Sequence, residues 1–274
     1  MNNVYRVFLV LLVVGVGIFA HAVPARADLM ITPTRVLFQD RDRFKEVTLV
    51  NNGEKPQVYE ISWVFFQMQE EGTPYKSVAS SVTDFDLSKY MVFTPRRITL
   101  APGASQKIRL ALRRPEKVPE GDFRAHLKFA VVPDPVDDSK HVGGKPAAVV
   151  KINVGYTIPV IFRSGRPDVT ADIGQIDIER DAKTGRLKVR VPITRDGGPY
   201  SILGDLFLYH EGPNGEEQVG RVSNANLFPE IGRRVFDVPL VKEIAGGSLR
   251  VVLKRDITEK DGGGVYAEKT FPLQ

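Results

Sequence analysis

The chain contains no cysteine, one tryptophan and four histidines among its 274 residues. Without cysteine there is no disulfide framework, no thiolate nucleophile and no cysteine-based metal or redox site. Histidine chemistry is almost as poorly supplied. His126, His141 and His210 lie far apart in the sequence, and no pair has metal-ligand spacing. No serine stands in a Gly-x-Ser-x-Gly setting, and Gly143, Gly144, Lys145 and Pro146 lack the rest of a phosphate loop. Adjacent acids such as Glu70 with Glu71, or Asp137 with Asp138, point to opposite sides of an extended chain and read as solvated loop charges. No catalytic constellation and no cofactor or metal site emerges, so the protein is expected not to be an enzyme. A helix-period apolar face of useful length is also missing. The formal net charge of +5, which falls to +3 once the N-terminal segment 1–27 is removed, is mild, which argues against a dedicated nucleic-acid binder, since that would show a concentrated basic face.

Long apolar runs are absent with one exception. Arg6 is followed by an apolar stretch at 7–20, and Ala25, Arg26 and Ala27 form a small-x-small site ahead of Asp28. This is the three-part pattern of a secretory signal peptide over 1–27, with the cut expected after Ala27. The stretch is short for a membrane span, and with no cysteine at the cut a lipoprotein is excluded. Removal of Arg6 and Arg26 takes two charges from the formal +5 and leaves +3. A chain exported in this way, without disulfides, relies on buried area alone.

What the sequence does have is alternation. The stretch 148–163 reads AVVKINVGYTIPVIFR, with Val150, Ile152, Val154, Tyr156, Ile158, Val160 and Phe162 apolar and Lys151, Asn153, Thr157 and Pro159 between them. Strict period-two patterning predicts a β-strand. At about 3.3 Å per residue it would run to about 50 Å, well beyond an ordinary strand. Part of its apolar row therefore needs cover from a second domain or another chain. Pro159, lacking an N–H, points to an edge strand, and an apolar edge is an aggregation hazard unless it is used for binding.

Shorter strands surround it. They are expected over 29–38 with Pro33 interrupting, 45–50, 58–66, 90–93, 97–100, 106–112 and 123–131, with 67–89 as a long connection. In the strand at 58–66, Tyr59, Ile61, Trp63 and Phe65 share one face, and Trp63 is expected in the core. Ser164, Gly165, Arg166 and Pro167 break the pattern and mark a domain boundary, so 28–163 and 164–274 are expected as two domains. Beyond it strands resume at 169–178, 187–194, 202–209, 218–222, 234–240, 249–254 and 266–271. Strands at this spacing without helices predict an all-β protein of two antiparallel β-sandwiches.

Two arginines stand out. Arg35 sits between apolar residues in the middle of the first strand. It reads either as a surface arginine with its stem laid over a neighbour or as an anchor for an anion, to which a guanidinium offers a fork. Arg163, at the expected boundary, reads first as a charge that pairs with acids on either side of an interdomain seam.

With these stretches together, the chain resembles the periplasmic chaperones of the chaperone-usher pathway, which assemble pili. The resemblance is carried by TRVLF at 34–38, LAPGASQKIRL at 100–110, FRAHLKFAVVP at 123–133, the strand at 148–163 and GPYSI at 198–202. The order and spacing of these motifs cover nearly all of 28–274. The family is one of the established examples of a sandwich architecture and of donor-strand complementation. The resemblance implies two immunoglobulin-like domains in an L-shaped arrangement, and a long strand lent to pilin-like subunits that are delivered to an outer-membrane usher. It implies Val150, Ile152 and Val154 as the inserted side chains and Arg35 as the grip on the subunit's terminal carboxylate. It also implies an interdomain salt bridge of Asp122, Arg163 and Glu243. The family pairs its arginine with a lysine where this chain has Pro159, so a two-cation clamp in the usual form is excluded. Three readings follow. The first is a periplasmic assembly chaperone without cofactor, not inserted in the membrane after cleavage and able to self-associate when free of client. The second is a secreted two-domain binding module, an adhesin or carbohydrate-binding sandwich. The third is a structural envelope domain with no transient client.

Overall fold

The computed structural model describes residues 28–39, 41–71, 75–78, 85–113, 117–133, 155–182, 184–213, 215–259 and 262–273. Apart from a short 3-10 turn at Leu87–Lys89, its described elements are β-strands. In chain order they are β1 (Leu29–Thr32), β2 (Val36–Phe38), β3 (Phe44–Asn51), β4 (Gln57–Met68), β5 (Tyr75–Val78), β6 (Met91–Thr94), β7 (Arg97–Leu100), β8 (Ser105–Leu112), β9 (Gly121–Val131) and β10 (Gly155–Ser164). A second set follows: β11 (Thr170–Ile173), β12 (Asp177–Arg180), β13 (Leu187–Asp196), β14 (Gly204–Gly212), β15 (Gly215–Val222), β16 (Arg233–Pro239), β17 (Ser248–Arg255) and β18 (Val265–Pro272).

The first set forms one sandwich. One sheet runs β1-β3-β8-β6, and the other runs β2-β10-β9-β4-β5 with β7 also on β4. Alternation sorts residues between core and water as the pleat requires: on β8, Ile108 and Leu110 are buried while Lys107 and Arg109 are exposed. The chain crosses from one sheet to the other at residues 33–35. β1 lies antiparallel to β3, whereas β2 lies parallel to β10, with Val36 opposite Val160 and Phe38 opposite Phe162. Pro33, which breaks the ladder, and Arg35 stand in that crossover.

Two local expectations are corrected. Trp63 is only half-buried, packing edge-on to Phe93 with ring centroids 5.1 Å apart. The cause is that β4 overshoots the core: Tyr59 and Ile61 are inside, and Trp63 and Phe65 pack at its margin. The connection expected over 67–89 contains β5, which folds back on the end of β4 from Phe65↔Val78 to Met68↔Tyr75. Its four residues are too short a run to show a period.

The second set forms another sandwich. β11 and β12 share one edge of β13, β16 takes the other, and the facing sheet runs β15-β14-β17-β18. Val189, Val191 and Ile193 of β13 pack against Leu206, Leu208, Val251 and Leu253. The single strand expected over 169–178 is therefore two short ones. They are separated at Gly174, whose N–H donates to the Pro192 carbonyl at 2.9 Å.

The sandwiches meet through a small apolar cluster of Leu37, Met68 and Ile161 from the first and Leu203 and Phe228 from the second. Each such side chain contributes roughly 1.5–3 kcal/mol when fully removed from water. The contact extends along the chain beyond β4: the Val235 N–H donates to the Glu70 carbonyl at 2.9 Å, and Glu71 pairs with Arg190 at 3.3 Å.

Candidate functional site

The described part of the alternating stretch at 148–163 appears as β10. Along its whole length it pairs antiparallel with β9, from Gly155↔Ala130 to Ser164↔Gly121. On its other side β2 covers only Val160, Ile161 and Phe162. Among the described residues, no strand pairs with 155–159 on that side, so this half of β10 is an edge. Pro159, opposite His126, is the last residue before β2 begins. Ile158, Val160 and Phe162 point into the first core, and Ile161 points the other way into the interdomain cluster. Val150, Ile152 and Val154 lie outside the described residues.

Arg35 is not the lightly covered surface residue that its neighbours suggest. Its side chain is 6% exposed, and its guanidinium meets two groups of the second sandwich: Nη2 pairs with Asp256 Oδ2, and Nη1 donates to Asn226 Oδ1 at 2.7 Å. The carboxylate is itself held, because the Thr258 N–H donates to Asp256 Oδ1 at 2.7 Å and the Thr258 hydroxyl donates to the same oxygen. The grip expected for a client carboxylate is thus occupied by one of the protein's own.

Arg163 lies deeper. Its Nε and Nη2 donate to the two oxygens of Asp122 at 2.8 Å each, Nη1 donates to Glu259 Oε2 at 3.0 Å and Nη2 to the Ser201 carbonyl at 3.0 Å. Asp122 also accepts from the Ser201 N–H at 2.8 Å, and the Tyr266 hydroxyl donates to Glu259. Burial opposes the charge on Arg163, but the hydrogen bond and charge of Asp122, followed by Glu259, outweigh it and hold the pKa above the ordinary arginine value. Burial, then the charge of Glu259, raises Tyr266 above the ordinary phenol range.

Glu243 is not part of this network. It pairs on the surface of the second sandwich with Arg180 at 3.0 Å, both side chains being more than half exposed. Glu259 takes the place expected for it. The correction has a topological cause: the loop between β17 and β18 reaches the seam and carries both Asp256 and Glu259, one for each arginine.

A third arginine completes the seam. Arg124 donates through Nη2 to the Phe66 carbonyl at 2.6 Å and to Glu230, and its guanidinium lies 3.6 Å from the centre of the Phe228 ring. His126 is 3% exposed and packs edge-on to Phe66, with ring centroids 4.8 Å apart. Burial, then the charge of Arg124, lowers its pKa from 6.5 to about 3. Among the described residues there is no group of three acidic, histidine or cysteine side chains that could hold a metal ion, and no helix is long and apolar enough to cross a membrane.

No family model and no curated protein matches the sequence. Solved structures of chaperones are similar over most of the chain. A structure described as a chaperone-tip adhesin complex of CFA/I fimbriae biogenesis is 19% identical, covering 90% of this chain and 99% of that one, with a TM-score of 0.44. The E. coli chaperone DraB is 15% identical, covering 90% and 96%, with a TM-score of 0.44. A structure of Salmonella enterica SafA pilin in complex with the SafB chaperone gives 11% identity, 91% and 98% coverage and a TM-score of 0.43. At these identities and scores the likeness carries no residue's role across to this chain.

Proposed function

We propose that this protein is a non-enzymatic periplasmic chaperone that holds pilin-like subunits by strand donation and delivers them to an outer-membrane usher after its signal peptide is removed. Residues 28–163 form the donating domain in this reading and 164–274 the second. The observation that supports it best is the polarity of β2 beside β10. These strands are parallel, and β2 begins opposite Val160. A client strand laid in line with β2 along the open edge at 155–159 and running parallel to β10 ends, at its C-terminus, against residue 35. Main-chain hydrogen bonds then supply affinity, and alternate apolar side chains supply cover for the client's open core. Val150, Ile152 and Val154 are the side chains assigned to that core.

The test is co-purification from the periplasm with a C-terminal tag, comparing the natural chain with Ile152→Asp. A small stoichiometric partner with β-strand patterning, lost in the variant at unchanged melting temperature, is the expected result. No partner in either sample, with a monodisperse dimer in both, overturns the reading. So does a large fall in the melting temperature of the variant, which puts Ile152 in the protein's own core.

A further inference from the structure

We infer that Asp256 is an internal competitor for the Arg35 site, a side-chain carboxylate that occupies the guanidinium until a client's terminal carboxylate displaces it. The inference rests on the reading of residue 35 given above and adds the regulation of that site.

The loop that brings Asp256 to Arg35 is held by its backbone at both ends, the Asp256 N–H donating to the Leu203 carbonyl at 3.0 Å and the Glu259 N–H to the Asp256 carbonyl at 3.1 Å, so what can be released is the Asp256 side chain. At one end Glu259 is 3% exposed at its side chain, sealed against Arg163 and Tyr266. At the other end Asp256 is 16% exposed, and its neighbour Ile257 stands 85% in water. Asp256 touches the guanidinium through Oδ2, while Oδ1 is committed to Thr258. A chain-terminal carboxylate has no such second commitment and can take the arginine fork through both oxygens. Arg35 cannot be left buried without a counter-charge, because an uncompensated buried cation is strongly unfavourable. The exchange is therefore one carboxylate for another. A binding site occupied from within lowers the apparent affinity by the fraction of molecules in which it is open. Asp256 thus sets a threshold: a strand that ends elsewhere pairs with the edge but does not displace the Asp256 carboxylate.

The experiment uses the full mature chain and a short synthetic peptide of alternating apolar and polar residues, made once with a free C-terminal carboxylate and once as the amide. Binding is measured by calorimetry to the natural protein, to Asp256→Asn and to Thr258→Ala. The first variant keeps the shape and removes the charge. The second loosens Asp256 without touching Arg35 and, on an exposed residue, keeps the test open if the first folds poorly. With Asp256 in place nine-tenths of the time, removing its charge tightens binding of the free carboxylate about tenfold and leaves the amide unchanged. Thr258→Ala shifts the same peptide in the same direction by less. Preference of the natural protein for the free carboxylate, with no gain in either variant, overturns the competition and leaves the anchoring role standing. Equal binding of both peptides to all three proteins, or binding of neither, removes the carboxylate site itself.

Discussion

Arg163 and Asp122 stand opposite each other in register on β10 and β9, and both oxygens of the carboxylate accept from the guanidinium at 2.8 Å. Their side chains are 2% and 1% exposed. Because the same guanidinium reaches Glu259 and the Ser201 carbonyl, this cross-strand pair of the first sandwich is also the bolt to the second. Removing Asp122 leaves Glu259 as the counter-charge of Arg163 but strips the buried Arg163 Nε and Ser201 N–H of their acceptor, at about 1–3 kcal/mol each. Asp122→Ala is expected to lose stability on that scale in urea melts. A loss below about 1 kcal/mol, the range of an exposed pair, would show that the network contributes little.

His126 supplies a pH dependence. Its pKa in the fold is about 3 against an ordinary 6.5, so between those values the unfolded chain binds a proton that the fold refuses. The stabilisation is complete above about pH 6.5 and declines as the pH falls toward 3, with a limiting slope of about 1.4 kcal/mol per pH unit. His126→Phe preserves a ring against Phe66 and removes the titration. Denaturant melts at pH 7 and pH 4.5 are expected to differ less for the variant than for the natural protein. Equal differences would mean that other groups set the acid limb.

The fold was legible where burial has a period, and the site where its partners share a strand pair. Strands such as β8 and β13 announce themselves because one face is core and the other lies toward water, and Arg163 with Asp122 joins two alternating runs, those of β10 and β9. Glu259, Asp256 and Asn226 had no comparable signal. They lie in connections, where no apolar rhythm runs, and meet their arginines across 96 residues or more of sequence. The family pattern points to Glu243 for the same seam, but whether an acid reaches the seam depends on the path of its loop. Arg35 illustrates the converse: the single strand that its apolar neighbours suggest is two, in different sheets, and Arg35 stands in the crossover between them with the second sandwich closed over it.

Gly121 tests the seam from the backbone side. It has φ 132°, a conformation that side chains disfavour, and a Cβ added there would lie 2.8 Å from Pro199 Cβ. The next residue, Asp122, donates its N–H to the Pro199 carbonyl at 2.9 Å, so Pro199 cannot retreat without disturbing the ion-pair network. Gly121→Ala is expected to cost about 1–3 kcal/mol from the backbone alone, with the contact adding to it. Gly103→Ala, at φ 71° with open space around it, bears only the backbone cost, about 1–2 kcal/mol. A Gly121→Ala melting temperature no lower than that of Gly103→Ala would show that Pro199 yields freely.

Arg35 separates folding from capture only when its partner is changed with it. Arg35→Ala takes from Asn226 Oδ1 its guanidinium donor and from the largely buried Asp256 carboxylate its counter-charge, leaving Asp256 the Thr258 donors, and a loss of about 1–3 kcal/mol is expected. Replacing both members of a buried pair by apolar groups of similar size is close to neutral, so Arg35→Met combined with Asp256→Leu is expected to recover most of the melting temperature. In that background co-purification becomes interpretable. A stable double variant that no longer retains a partner assigns the loss to the missing guanidinium. One that retains its partner as well as the natural protein does leaves Arg35 as an interdomain strut and moves client binding entirely to the β10 edge.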